Sequence, residues 1–377
     1  MCHLRGGTLV LCLAAAGARS GDKPVSGDER TDVDLLTEVA RGVIELISVD
    51  RPSTFRLPYP SSLQLALDRV VLLGLMRGQP VPDGVPELLL WCRERRPSEW
   101  PLALPSGFLT NDARLIDPAA GEPTRTCAEL ASIGPRGALE QEAETRLAEL
   151  ADACGTVERF AFCRDFLIRR PIILRFDPVE MLQPTVAQTW KLVKDLYAPV
   201  PDRFAIDGLV HRCKSCLLLA KPVTTAGPWC EGGCPPGGRE FESSHQLGHA
   251  LALPFGLRLF LALPGSTEHT VRSRLTSQAQ LLPLGLGVHR VVGHDGTLHT
   301  FQVHNRGQPV PAALRAADVA ARLGGPLDVV VPDELVAYPG YRQDFDRALP
   351  VGARVRLLSA SEFTTPEPTV RARRNHA

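Results

Sequence analysis

The chain has 377 residues, enough for two or three domains, and its 44% hydrophobic and 22% charged content is that of a globular protein. Lys+Arg and Asp+Glu both number 42, so overall charge gives no general pull toward nucleic acid. No apolar run reaches the roughly 18 residues that a membrane span requires. Lysine occurs five times and never beyond Lys221, so positive charge in the last third is arginine.

The first twenty residues carry Arg5 and the apolar stretch LVLCLAAA, which is like a signal peptide at first sight. Its charged part is weak, and the ten cysteines are scattered through helical segments instead of stapling a short loop-rich chain. An ordinary first helix and a cytoplasmic protein are the expectation.

A helical domain is expected over 1–130. Thr31 with Asp34 reads as a capping box, followed by Leu35, Leu36, Val39, Val43, Ile44 and Ile47 at helical spacing. Ser61 and Ser62 open a second helix that Gly78 stops, and 86–96 reads as a third, ended by Pro97. RRPSEWPLALPSGF then reads as extended and irregular, with Trp100 a packed aromatic. A second helical block is expected over 137–200. It holds one helix through Leu139, Ala143, Leu147, Leu150 and Ala151, one capped by Thr156 and ending before Pro171, and one capped by Thr185 that runs to Leu196. Cys92, Cys127, Cys154 and Cys163 are spread too far along the chain to suggest a site and read as small hydrophobes.

The character changes at His211. Over 208–240 the chain reads C-K-S-C, thirteen residues, then C-E-G-G-C, supplying Cys213, Cys216, Cys230 and Cys234. Zinc takes four soft ligands in a tetrahedron, and each pair offers two thiolates from one tight turn. Gly232 and Gly233 give the second turn its flexibility. With all four positions filled by protein, the metal is structural. His211 and His245 are alternative ligands, and a second metal between His245 and His249 is a weaker reading.

Residues 250–363 read as a small α/β domain: a helix over 266–280, strands at 288–292 and 298–304, a helix with Pro311 in its first turn and Gly324 past its end, then strands at 327–331 and 354–358. Residues 364–377 read as a disordered tail. The fold class is thus α+β, with a helical N-terminal half, a zinc-ribbon-like knuckle and a C-terminal α/β domain.

Glu268 on a helix, followed by strands carrying Asp295 and FQVHNR (301–306), resembles the layout of a PD-(D/E)xK nuclease core. The whole chain, from about Asp34 to Phe363, resembles the restriction-endonuclease-like family associated with the prokaryotic PIWI-RE defence module. The resemblance rests on DLLTEVARGVIEL, RRPSEWPL, EPTRTCAELA, FLIRRPIIL, the two cysteine knuckles, PGSTE at 264–268 and VVVPDELVAYPGYR at 329–342. It implies a nuclease-like C-terminal domain, DNA as a partner, and a PIWI-like protein with a DinG-type helicase as associates. In that core an acid on the helix, an acid on a strand and an acid-x-lysine on the next strand hold Mg2+ and a nucleophilic water. Here the last motif reads His304-Asn305-Arg306, or Gln302-Val303-His304 in the shifted register, with neither acid nor lysine. Arginine cannot exchange the proton that a lysine can. The candidates Glu268, Asp295, His304 and Arg306 therefore read as a degenerate site.

His289, His294, His299 and His304 recur every five residues, and only a hairpin could gather them. From Gly237 onward 15 arginines face 12 acids, a mild excess that suits phosphate contact. The expected function is a defence-system subunit with an inactivated nuclease fold that binds DNA or a protein. An active metal-dependent endonuclease and a zinc-ribbon scaffold without nucleic-acid role are the alternatives.

Overall fold

A computed structural model describes residues 27–48, 59–133, 138–175, 177, 179, 183–223, 228–234, 240–244, 250–275, 280–292 and 298–363. The apolar start, the tail over 364–377, His245, His249, His294 and Asp295 lie outside the described residues.

The apolar stripes fold as helices: α1 Gly27–Ser48, α2 Ser61–Met76, α3 Val85–Glu94 and α4 Arg125–Ala131. Leu36, Val39 and Val43 of α1 meet Leu63 and Val70 of α2 in one core that also takes Trp91 and Trp100, packed edge to face. Thr31 lies inside α1, not at its cap, because the helix begins four residues earlier, at Gly27. Next come α5 Ala138–Cys154 and α6 Val157–Arg169, and the Thr156 hydroxyl accepts from the Arg159 amide as a cap should. Thr185 does not cap its helix: α7 is Pro184–Val193, with proline at the first position after Gln183, where a missing N–H costs nothing.

The segment 250–263, ahead of the expected helix, is mostly apolar. After a short strand it forms α8, Phe255–Leu257, which runs into a π-helical turn, Arg258–Ala262. It is buried on all sides. Leu259, Ala262 and Leu263 enter the α1–α4 core, while Leu257 and Leu261 enter the α5–α7 core. The two helical blocks expected as separate thus share this element.

Three sheets follow. Ile172–Ile173 (β1), Ala198–Pro199 (β2) and Leu251–Ala252 (β8) make a small one in the order β1-β8-β2. The knuckle sheet holds Ala205–Ile206 (β3), Leu209–Cys213 (β4), Leu219–Lys221 (β5), Trp229–Cys230 (β6) and Phe241–Ser244 (β7), which pairs with β4. The third sheet holds Gln280–Pro283 (β9), Val288–Val292 (β10), Leu298–Val303 (β11), Leu327–Val331 (β12) and Val355–Ser359 (β13) in sequence order. Pairings among β9, β10 and β11 are antiparallel; β11, β12 and β13 run parallel.

Helix α9, Gly265–Ser273, covers one face of this sheet through Val271, against Val291, Phe301, Val303, Val330 and Phe363. Helices α10, Pro309–Leu323, and α12, Tyr341–Ala348, cover the other face, with Ala312, Ala316 and Phe345 on Val329, Val331 and Leu357. A short α11, Asp333–Ala337, precedes α12. Helix α9 ends seven residues before the expected limit of 280, because Gln280–Pro283 pair with β10 instead. No helix among the described residues is long and apolar enough to cross a membrane.

Gly287 bends the chain into β10 at φ 64, and a Cβ there would lie 2.1 Å from the Val303 carbonyl oxygen. Gly287→Ala is therefore expected to lose more than about 2 kcal/mol, from left-handed strain plus a clash with backbone. Chemical denaturation measures it; an unchanged midpoint would contradict this packing.

Candidate metal centre and the neighbouring carboxylates

The knuckle turns bring four thiols together. All four Sγ atoms lie within 4.8 Å of one another, with Cys213 and Cys234 at 4.0 Å and Cys216 and Cys230 at 3.3 Å. A zinc ion with Zn–S bonds of about 2.3 Å sets a tetrahedral S–S edge of about 3.8 Å, so the cluster matches that ion. The four cysteines are free, and the 3.3 Å between Cys216 and Cys230 is a contact between thiols and not a sulfur–sulfur bond. Thiol hydrogen bonds from Cys216 and Cys230 pull Cys234 down to about 4, so the cluster already favours thiolate at some positions. His211 stands aside. Its Nδ1 bonds the Ser243 hydroxyl at 2.8 Å.

Local backbone makes these turns possible. Leu217 takes a left-handed φ of 64 as its amide bonds the Cys213 carbonyl at 2.9 Å, a turn the C-K-S-C-L sequence did not reveal. Gly232 is packed so tightly that a Cβ would sit 2.9 Å from Cys216 Sγ. The second knuckle is also fastened from outside. Glu231 forms a buried two-pronged pair with Arg258 of the π-helical turn, at 2.5 and 2.8 Å. The Gly232 carbonyl accepts from Arg125 of α4, whose guanidinium also bonds Asn305 beyond β11.

Glu268 lies on α9 and is buried against the sheet. Both carboxylate oxygens accept from Arg164 of α6, and His289 Nε2 of β10 sits 3.2 Å away. Burial works to raise the Glu268 pKa, but the Arg164 charge, with His289 close beside the carboxylate, outweighs it and holds the carboxyl well below its usual range. His289 is pushed down by burial against the opposing pull of Glu268, so it is neutral at pH 7. On the next strand His289 is registered with Phe301, whose ring stacks on it at 5.1 Å. Side chains alternate along β11, so the positions sharing this face are His299, Phe301 and Val303.

His304 and Arg306 lie elsewhere. His304 follows the last residue of β11 and, with Gln302 and Arg306, lines a cavity of about 20 Å³ against Glu140, Phe260 and Leu263. Burial, then the Arg306 charge, brings the His304 pKa down to about 3, and its Nδ1 accepts from the Arg306 amide. Arg306 pairs with Glu140 of α5 at 2.6 Å. The structure thus gives Glu268 and Arg306 different partners on different elements.

The β10–β11 hairpin does place His289 and His299 on one face, but the Phe301 ring stacks between them. Each has its own acid, His299 bonding Asp328 of β12 at 2.7 Å. Arg356 of β13 grips the same carboxylate at 2.6 and 2.9 Å. Arg164, His289 and Asp328 went unnoticed as partners because their sequence separations carry no signal.

A sequence model of the family described as "pPIWI_RE three-gene island domain Y" matches residues 35–174. The match runs from α1 to just beyond β1 and links the chain to the pPIWI_RE system. It includes Arg125, Glu140 and Arg164, the residues that fasten the knuckle and the C-terminal sheet. No curated protein and no solved structure matches the chain.

Proposed function

We propose that this chain is the nuclease-like subunit of a PIWI-RE-type prokaryotic defence system, that it binds DNA and the partner proteins of its island, and that its nuclease chemistry is lost. One observation carries the reading: the Glu268 carboxylate, the acid expected to hold Mg2+, is fully occupied by Arg164. The helix-then-strands order of α9, β10 and β11 supports a nuclease-like origin for the domain. On the Glu268 face of β11 an acid-x-lysine would fall at His299 and Phe301 or at Phe301 and Val303, and no oxygen ligand or amine stands there. Mg2+ is a hard cation that takes oxygen ligands, and a single carboxylate already paired with arginine does not hold it firmly enough to activate a bound water. An aromatic ring beside an arginine-neutralised carboxylate supplies no such grip.

In this reading the four cysteines hold one structural zinc that fixes the knuckle between α4, the π-helical turn and the start of α10. The ion would cross-link the two turns, while Arg125 and Arg258 transmit that order to the rest of the chain.

The test is incubation of the purified chain with plasmid DNA and Mg2+, then Mn2+. The DNA is expected to stay uncut. Cutting that vanishes in Asp295→Ala or Glu268→Gln would establish the active-endonuclease alternative.

A further inference from the structure

Most described arginines end on a carboxylate, as Arg69, Arg77, Arg146 and Arg258 do. Four at the C-terminal end of α3 do not. Arg93 donates from Nε and Nη2 to the Pro118 carbonyl, Arg114 donates to the Arg93 and Glu94 carbonyls, and Arg95 lies over the Trp91 ring at 4.1 Å. Arg96 is exposed and follows directly. None of the four makes an ion pair among the described residues. The acids beside them are fewer and none is paired with these arginines: the exposed Glu94 stands between Arg93 and Arg95, Glu99 accepts from the Arg96 amide, and Asp117 accepts from the amides of Ala119 and Ala120.

We infer that this arginine cluster, in the family-matched helical part of the chain, is the surface that contacts the phosphate backbone of DNA. The inference rests on the DNA-binding reading above and moves the contact away from the arginine-rich C-terminal domain, whose arginines are largely paired. Guanidinium groups pinned by carbonyls or a ring are held in place yet keep their charge and outward N–H donors. Pinning also lowers the entropy lost when a phosphate is bound. Arg114 has a structural task, satisfying carbonyls at a helix end. Capping does not account for Arg96, nor for three further positive charges gathered beside it.

The experiment is a fluorescence-anisotropy titration of the full chain against duplex DNA of about 30 base pairs over a series of salt concentrations. Wild type should bind with a linear fall of log affinity against log salt. Arg93→Ala/Arg96→Ala should reduce that slope by about 2, one unit for each lost phosphate contact, and weaken binding about tenfold at the lowest salt. Arg96→Gln, an exposed change with no hydrogen bond to lose, should reduce it by about 1. Metal content of both variants, and thermal unfolding of Arg96→Gln, should match wild type, while the double variant, which gives up the two bonds to the Pro118 carbonyl, is titrated well below its unfolding midpoint. An unchanged slope in these variants, or a loss seen instead in Arg290→Ala/Arg354→Ala, overturns the cluster while the DNA reading stands. Wild type that fails to bind at low salt overturns both.

Discussion

Cys230→Ser is expected to strip the metal from a chain that otherwise carries about one zinc and to unfold the knuckle with it. In zinc-finger peptides the apparent binding energy is about 10–16 kcal/mol, and at such sites it is folding energy. Val210, Leu219 and Trp229 pack on a neighbouring core, but the thiol end of the knuckle has little else to hold it. Its own core is Cys213, Ala220 and Cys230, with Cys216, Cys234 and Phe241 packed around them. The damage should spread, because Glu231 and Gly232 are the attachment points of Arg258 and Arg125. Losing the ion leaves Arg258 buried beside a knuckle that no longer fixes its carboxylate, a cost of several kcal/mol. Metal analysis and thermal unfolding of reduced protein read this out together. A metal-free wild type that unfolds at the same temperature with and without added zinc would remove the structural role.

Glu268→Ala is expected to cost about 3–5 kcal/mol of stability, since it leaves the Arg164 guanidinium buried without its counter-charge. The paired change Arg164→Met/Glu268→Leu should recover most of that loss, because apolar groups of similar size tolerate the site well. A catalytic carboxylate behaves oppositely, often destabilising the fold it sits in. The pH dependence has a defined sign. The folded-state pKa of Glu268 is lowered, so its stabilisation is complete above the unfolded carboxylate value of about 4.3 and is lost as pH falls below it. His289 and His304 are also lowered, so the unfolded chain takes up their protons first, and stability starts to fall below about pH 6.5. Denaturant titrations from pH 7 to 3 should show a decline that begins below about pH 6.5 with the histidines and grows steep below about pH 4.3, where Glu268 adds to it. In Glu268→Gln the steep part should shrink.

Local signals carried much of the fold. Proline in the first turn and Gly324 in a left-handed cap delimit α10 as their chemistry requires. The knuckle was legible because two close cysteine pairs, each on a tight turn, are the ligand spacing that a tetrahedral metal demands. What stayed hidden was tertiary. Leu257, Leu259 and Leu261 alternate with Arg258 and Phe260, a spacing of two that does not mark a helix, and only burial between two cores selects one. The role of Glu268 was hidden for a related reason. PGSTE places an acid on a helix, yet whether it meets a metal or Arg164 depends on a helix some hundred residues earlier in the chain. The register of β11 could be fixed only by its partner, and that register sets His304 and Arg306 among the residues of α4, α5 and the π-helical turn rather than beside Glu268.

In the function proposed above, Glu268 serves the fold and not a catalytic metal. Thermal unfolding of the zinc-loaded chain with and without millimolar Mg2+ tests it most directly, because a ligand of the folded state raises the midpoint by linkage. Wild type should unfold at the same midpoint under both conditions, and Glu268→Gln at a lowered midpoint that is equally insensitive to Mg2+. A midpoint that Mg2+ raises in wild type and leaves unmoved in Glu268→Gln would mean that the carboxylate holds the ion, and the account would be wrong.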